Sequence, residues 1–71
     1  MQPETHCTLI SKRIRTRRIE LEFSQEYMAE RLNISQNVYS KNERYIKRVP
    51  LQRILQIAAI LSISLSQLLE I

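Results

Sequence analysis

The sequence predicts an all-α fold, a compact five-helix bundle, and three observations predict it. The 71 residues include no Gly and only two Pro, too little punctuation for the tight turns of a β fold. A single cysteine leaves no internal disulfide to staple so short a chain, so helix packing has to supply the stability. Finally, Ser24, Ser35 and Ser64 each sit inside the same apolar pair: Phe23 with Met28, Ile34 with Tyr39, Ile63 with Leu68. An N-cap serine within a hydrophobic staple marks a helix start, and here it does so three times.

Residues 1–7 show no periodicity and are expected to form a flexible N-terminal tail ahead of one domain spanning residues 8–71. The first helix is expected over residues 9–21, where Ile10, Ile14, Arg18 and Leu21 share a face. An arginine on an inward face requires an acidic partner. The second helix covers Gln25–Leu32, with Met28, Ala29 and Leu32 inward, and the third covers Gln36–Arg44. The fourth begins near Pro50, a good first-turn residue, with Leu51, Ile54, Leu55, Ala58 and Leu61 as its buried stripe. Ser64 and Gln67 have capping-box spacing and open a fifth helix over residues 65–70.

The net charge of +4 is unevenly placed. Residues 12–18 hold Lys12, Arg13, Arg15, Arg17 and Arg18 without an acid. Residues 41–53 hold Lys41, Arg44, Lys47, Arg48 and Arg53 against Glu43 alone. Two basic patches around one site suit an anionic partner.

The third helix is the most informative segment. At 100° per residue, Tyr39, Asn42 and Glu43 fall inward, while Gln36, Asn37, Ser40, Lys41 and Arg44 fill an outward arc of about 140°. That arc is rich in donors and acceptors and contains no acid. Gln and Asn match adenine edges, Lys matches guanine, and Ser reaches bases or phosphate. A three-residue break between two short helices makes them cross steeply, near the roughly 90–120° of a helix-turn-helix. Asn33 is a competent left-handed residue for that turn.

The stretches FSQEYMAERLNIS, SKNE and RVPLQRILQIAAILSISLSQLL resemble the lambdoid phage repressor/Cro family of helix-turn-helix DNA-binding domains over residues 10–69. Gln25, Ala29, Asn33 and Ser35 stand at the family's pattern positions. The resemblance implies an ion pair between Arg18 and Glu43. It implies base contacts from Gln36, Asn37 and Lys41 with Ser40 close by, and backbone contacts from Gln25, Ser35, Arg44, Lys47 and Arg48. Departures from the family pattern are Asn42 at a usually apolar core position, and Tyr39 in place of Val or Ile. Glu22, Asn33 and Ser62 replace common turn glycines, and Tyr45 and Ile46 enter a loop that is normally polar.

The expected function is therefore sequence-specific binding of double-stranded DNA by a transcriptional regulator, a repressor acting as a homodimer on a pseudo-palindromic operator. Candidate dimer residues are Ile46, Val49, Ile60, Leu69 and Ile71, the apolar side chains left over from the expected core. An antitoxin with a toxin partner, or a restriction–modification controller protein, would use the same domain. A protein-interaction module that has lost operator binding is the reading from another class. One His, one Cys and no Asp leave nothing for a catalytic triad or a metal cage, so no enzyme, cofactor or metal is expected. No apolar run nears the roughly 18 residues of a membrane span. A cytoplasmic protein of bacterial or phage origin is expected.

Overall fold

The computed structural model describes residues 6–70. Five α-helices follow one another: α1 (His6–Glu20), α2 (Gln25–Leu32), α3 (Gln36–Arg44), α4 (Leu51–Ile60) and α5 (Leu65–Leu69), with a 3-10 turn (Ile46–Arg48) between α3 and α4. No helix among the described residues is long and apolar enough to cross a membrane. The first helix starts at His6, inside the expected tail. Cys7 belongs to it and packs against the core, so burial of one apolar side chain carries the helix a further turn.

Three junctions are built alike. Among the described residues, Glu22, Asn33 and Ser62 take positive φ, at 60°, 59° and 54°. After each comes an apolar residue whose N–H donates five residues back: Phe23 to the Arg18 carbonyl, Ile34 to Ala29, Ile63 to Ala58. This is the Schellman closure of a helix C-terminus. The next residue is the serine that caps the following helix. The Ser24 hydroxyl accepts from the Tyr27 N–H at 2.9 Å, Ser35 from Val38 at 3.1 Å, and Ser64 from Gln67 at 3.0 Å. One three-residue unit of left-handed residue, apolar residue and serine thus ends one helix and starts the next. The staple partners Met28, Tyr39 and Leu68 are all fully buried.

The core joins Ile14, Met28, Ala29, Tyr39, Ile46, Val49, Ile57, Ala58, Leu61 and Leu68. Two expectations are corrected here. The buried stripe of α4 is turned by about 45° toward Ile57, less than half of the 100° between successive residues. Ile57, Ala58 and Leu61 are buried, whereas Leu51 and Leu55 are 63% and 44% exposed. Ile60, expected to be left over from the core, is half-buried and packs against it. On the same helix, Arg53 Nη1 donates to the Asn42 Oδ1 at 3.0 Å. That bond accounts for Asn42 at a position where an apolar residue was anticipated, while Tyr39 fills the space beneath α3.

Basic residues of α1 add side-chain donors at the ends of α4 and α5. Arg17 Nε donates to the Leu61 carbonyl at 2.8 Å, at the C-terminus of α4. Arg13 Nη1 donates to the Leu68 carbonyl at 3.1 Å and also to that of Glu70, at the C-terminus of α5. Both cations meet the negative end of a helix dipole.

The left-handed junctions generate a prediction. A non-Gly residue in that conformation costs roughly 1–2 kcal/mol, and Glu22 and Ser62 are exposed. Glu22→Gly and Ser62→Gly should each raise the free energy of unfolding in urea by about 1 kcal/mol. A loss of stability in both would show that these side chains hold the junctions.

Candidate nucleic-acid interface

The segment α2–turn–α3 forms two short helices joined at Asn33, whose N–H donates to the Ala29 and Glu30 carbonyls. On α3 only Tyr39 and Glu43 are buried. Gln36, Asn37, Lys41 and Arg44 are exposed and Ser40 is half-buried, so the polar arc faces out along the whole helix. Ser35 is exposed at the N-cap, and Lys47 and Arg48 are exposed on the 3-10 turn. Arg44 lies over the Tyr45 ring, its guanidinium carbon 5.8 Å from the ring centre.

Glu43 is the anchor beneath this surface. Its Oε2 accepts from Arg18 Nε at 2.8 Å and from the Tyr39 hydroxyl at 2.7 Å. Its Oε1 accepts from Arg18 Nη2 at 3.1 Å and from Gln25 Nε2 at 3.2 Å. Arg18 spends its remaining nitrogen, Nη1, on the Phe23 carbonyl at 2.9 Å. The two side chains are only 11% and 6% exposed. A carboxylate removed from water this far survives only with such a set of donors.

The titration behaviour follows from that geometry. Burial pushes the Glu43 carboxyl up, but the bonds from Arg18, Tyr39 and Gln25 outweigh it and hold its pKa below the ordinary carboxylate value. The bond to Glu43 raises the Arg18 guanidinium against the opposing effect of burial. Burial, and then the bond to Glu43, push the Tyr39 phenol up. At neutral pH the site therefore holds an ionised carboxylate, an ionised guanidinium and a neutral phenol.

The candidate dimer residues divide. Ile46 and Val49 are buried, 4% and 9% exposed, because the 3-10 turn brings residues three apart onto one side and folds both into the core. They are not available to a second subunit. Ile60 is half-buried, Leu69 is exposed, and Ile71 lies outside the described residues. Sequence reasoning missed the exposed pair Leu51 and Leu55, which share one flank of α4 at i, i+4 spacing.

Two predictions rest on the Glu43 network. Arg18→Ala should destabilise the fold by about 3 kcal/mol, since it strands a buried charge. The double variant Arg18→Met/Glu43→Leu should cost less, and strict additivity in a double-mutant cycle would show that the two side chains are independent. The pH dependence has a definite sign. A depressed folded pKa gives stability that is complete above the unfolded value of about 4.3 and is lost as pH falls through the folded value. The gap in unfolding free energy between the wild type and Glu43→Gln should be constant above about pH 5.5 and narrow toward about pH 3. A gap unchanged across that range would mean that Glu43 is not held ionised.

Comparison with known proteins adds the family. A helix-turn-helix family model matches residues 14–68, which include the network, the turn and the outward arc of α3. No curated protein and no solved structure matches the chain. The matched span covers most of the 71 residues, and the chain belongs to the Cro/C1-type helix-turn-helix family, whose members are DNA-binding regulator domains.

Proposed function

We propose that the chain is a sequence-specific transcriptional regulator, a repressor, that inserts α3 into the major groove of double-stranded DNA. The supporting observation is the division of α3. Its two buried residues are pinned by the Arg18 network, and Gln36, Asn37 and Lys41 project outward with Ser40 beside them. These side chains suit base edges, with Gln or Asn on adenine and Lys on guanine. Arg44, Lys47, Arg48 and Ser35 suit flanking phosphates. Gln25 donates one amide proton to Glu43, and its second can serve a phosphate at the start of α2. Repression follows if the bound protein occludes polymerase.

One subunit offers a single short reading helix and a module-sized interface of roughly 600–1,000 Å². A homodimer doubles both and reads two half-sites about 34 Å apart. With Ile46 and Val49 inside the core, the exposed large apolar side chains are Ile19, Val38, Tyr45, Leu51, Leu55 and Leu69, and of these Leu51 and Leu55 pair on one helix flank. We assign the dimer contact to the α4 pair.

Selection of binding sites from a random duplex pool tests this reading. Two-fold symmetric sites are expected, and a pool that returns unchanged from the protein would overturn it. Leu51→Glu/Leu55→Glu should reduce full-site affinity to that of a half-site while helicity is kept. A variant that still sediments as a dimer on DNA would place the contact elsewhere. Neutralising Lys47 and Arg48 together should weaken all sequences alike and reduce the slope of log K against log[salt] by about two. An intact slope would remove them from the interface.

A further inference from the structure

Helix α1 carries five cations, and at least four of them, Lys12 included, have partners in the structure. Arg13 and Arg17 donate at the ends of α5 and α4, and Arg18 holds Glu43. Arg15 shares a face with Arg18 and away from Arg13 and Arg17, where Thr8, Ser11, Lys12, Arg15 and Arg18 recur at helical spacing. That face forms one wall of an open cleft of about 490 Å³. Gln25 and the α3 residues Ser40, Glu43 and Arg44 form the other wall. Arg18 and Glu43 neutralise each other at its base, so the charge facing the cleft comes chiefly from Arg15 and Arg44. A second cleft of about 310 Å³ shares Thr8, Ser11 and Arg44 with the first and runs on to Lys47 and Arg48. The two make a continuous cationic track from the middle of α1, across the end of α3, to the 3-10 turn.

The geometry points to this track as a phosphate-binding site in which α1, through Arg15, takes part directly. The ligand class is a phosphate oxyanion, held between the exposed guanidinium groups of Arg15 and Arg44 with hydroxyl donors from Ser11 and Ser40. Guanidinium forks suit such a group because they donate two parallel hydrogen bonds to its oxygens. The inference rests on the DNA-binding reading for the source of the phosphate. Gln36, Ser40 and Arg44 form one row at i, i+4 spacing. A duplex with base edges against the first part of that row therefore lays a flanking strand past Arg44 and over the cleft. Helix α1 thus becomes a second rail for the backbone, opposite the Lys47–Arg48 turn.

Two ligands separate the cleft from the DNA reading. The wild type is titrated with inorganic phosphate and, separately, with a duplex of random sequence, and the Nε–H signals of Arg15 and Arg44 are followed by NMR. Both signals should shift, at far lower concentration with the duplex. Arg15→Gln should lower the salt slope of duplex binding by about one. It should weaken selected and random sequences by the same factor, and leave the thermal transition in place because Arg15 is exposed. Arg15→Lys should restore the slope. If the duplex binds, the Arg15 signal stays still and the slope is unchanged in Arg15→Gln, the cleft assignment is overturned and the DNA reading stands. If phosphate shifts both signals while no duplex binds, the DNA reading fails, and the cleft stands as a site for a free phosphate compound. If neither ligand moves Arg15, the cleft assignment is overturned.

Discussion

Everything that α3 presents depends on one buried carboxylate. Glu43 gathers donors from the end of α1, the first residue of α2 and its own helix, through Arg18, Gln25 and Tyr39. Helices of eight and nine residues are not stable alone in water, so α2 and α3 exist by virtue of what they pack on. The apolar part of α3 that reaches the core is a single side chain, Tyr39, and its hydroxyl is tied to the same carboxylate. A buried ion pair adds little net stability compared with a well-packed apolar replacement. Its contribution here is direction: two oxygens with four donors permit one orientation of α3.

The same economy governs the cations of α1. A chain without Gly has to close its helix ends by other means. At three junctions a Glu, an Asn and a Ser accept the left-handed conformation. At the C-termini of α4 and α5, guanidinium groups from α1 donate to carbonyls. A basic run that reads as one patch in the sequence is therefore divided by the helical period. Arg13 and Arg17 turn toward α4 and α5, Arg18 toward α3, and Arg15 toward the cleft. Net charge alone overstates what is free to meet a partner.

Much of this was legible in the sequence. The serine staples located the starts of α2, α3 and α5, and the inward placement of Arg18 demanded an acid. The register of α4 was not legible, because ILQIAAIL supports two apolar stripes less than a residue step apart. Periodicity cannot choose between them; packing against residues from the other helices does, with Ile57, Ala58 and Leu61 taken into the common core. Ile46 and Val49 look surplus in the sequence because a connecting loop ordinarily faces water. Their three-residue spacing was the available clue, since a 3-10 turn places both on one side. The cleft between α1 and α3 was out of reach, because it exists only once the Arg18–Glu43 pair has set the two helices side by side.

That dependence gives the interface its logic. The outward residues of α3 gain nothing for folding from their position: Gln36, Asn37 and Lys41 are exposed and take no part in the core. A polar helix face of this kind is kept in place only by the residues behind it. Glu43 holds the helix from inside, and Ser40 and Arg44, on the same helix, line the cleft outside. The wall opposite them is α1, fixed by the very arginine that binds Glu43. A phosphate between those walls would sit within reach of the cations on both, and any shift of α3 relative to α1 would open the site. The outward face of α3 and the cleft beside it are therefore aligned by a single constraint, which is why the ion pair is better understood as positioning a surface than as stabilising a core.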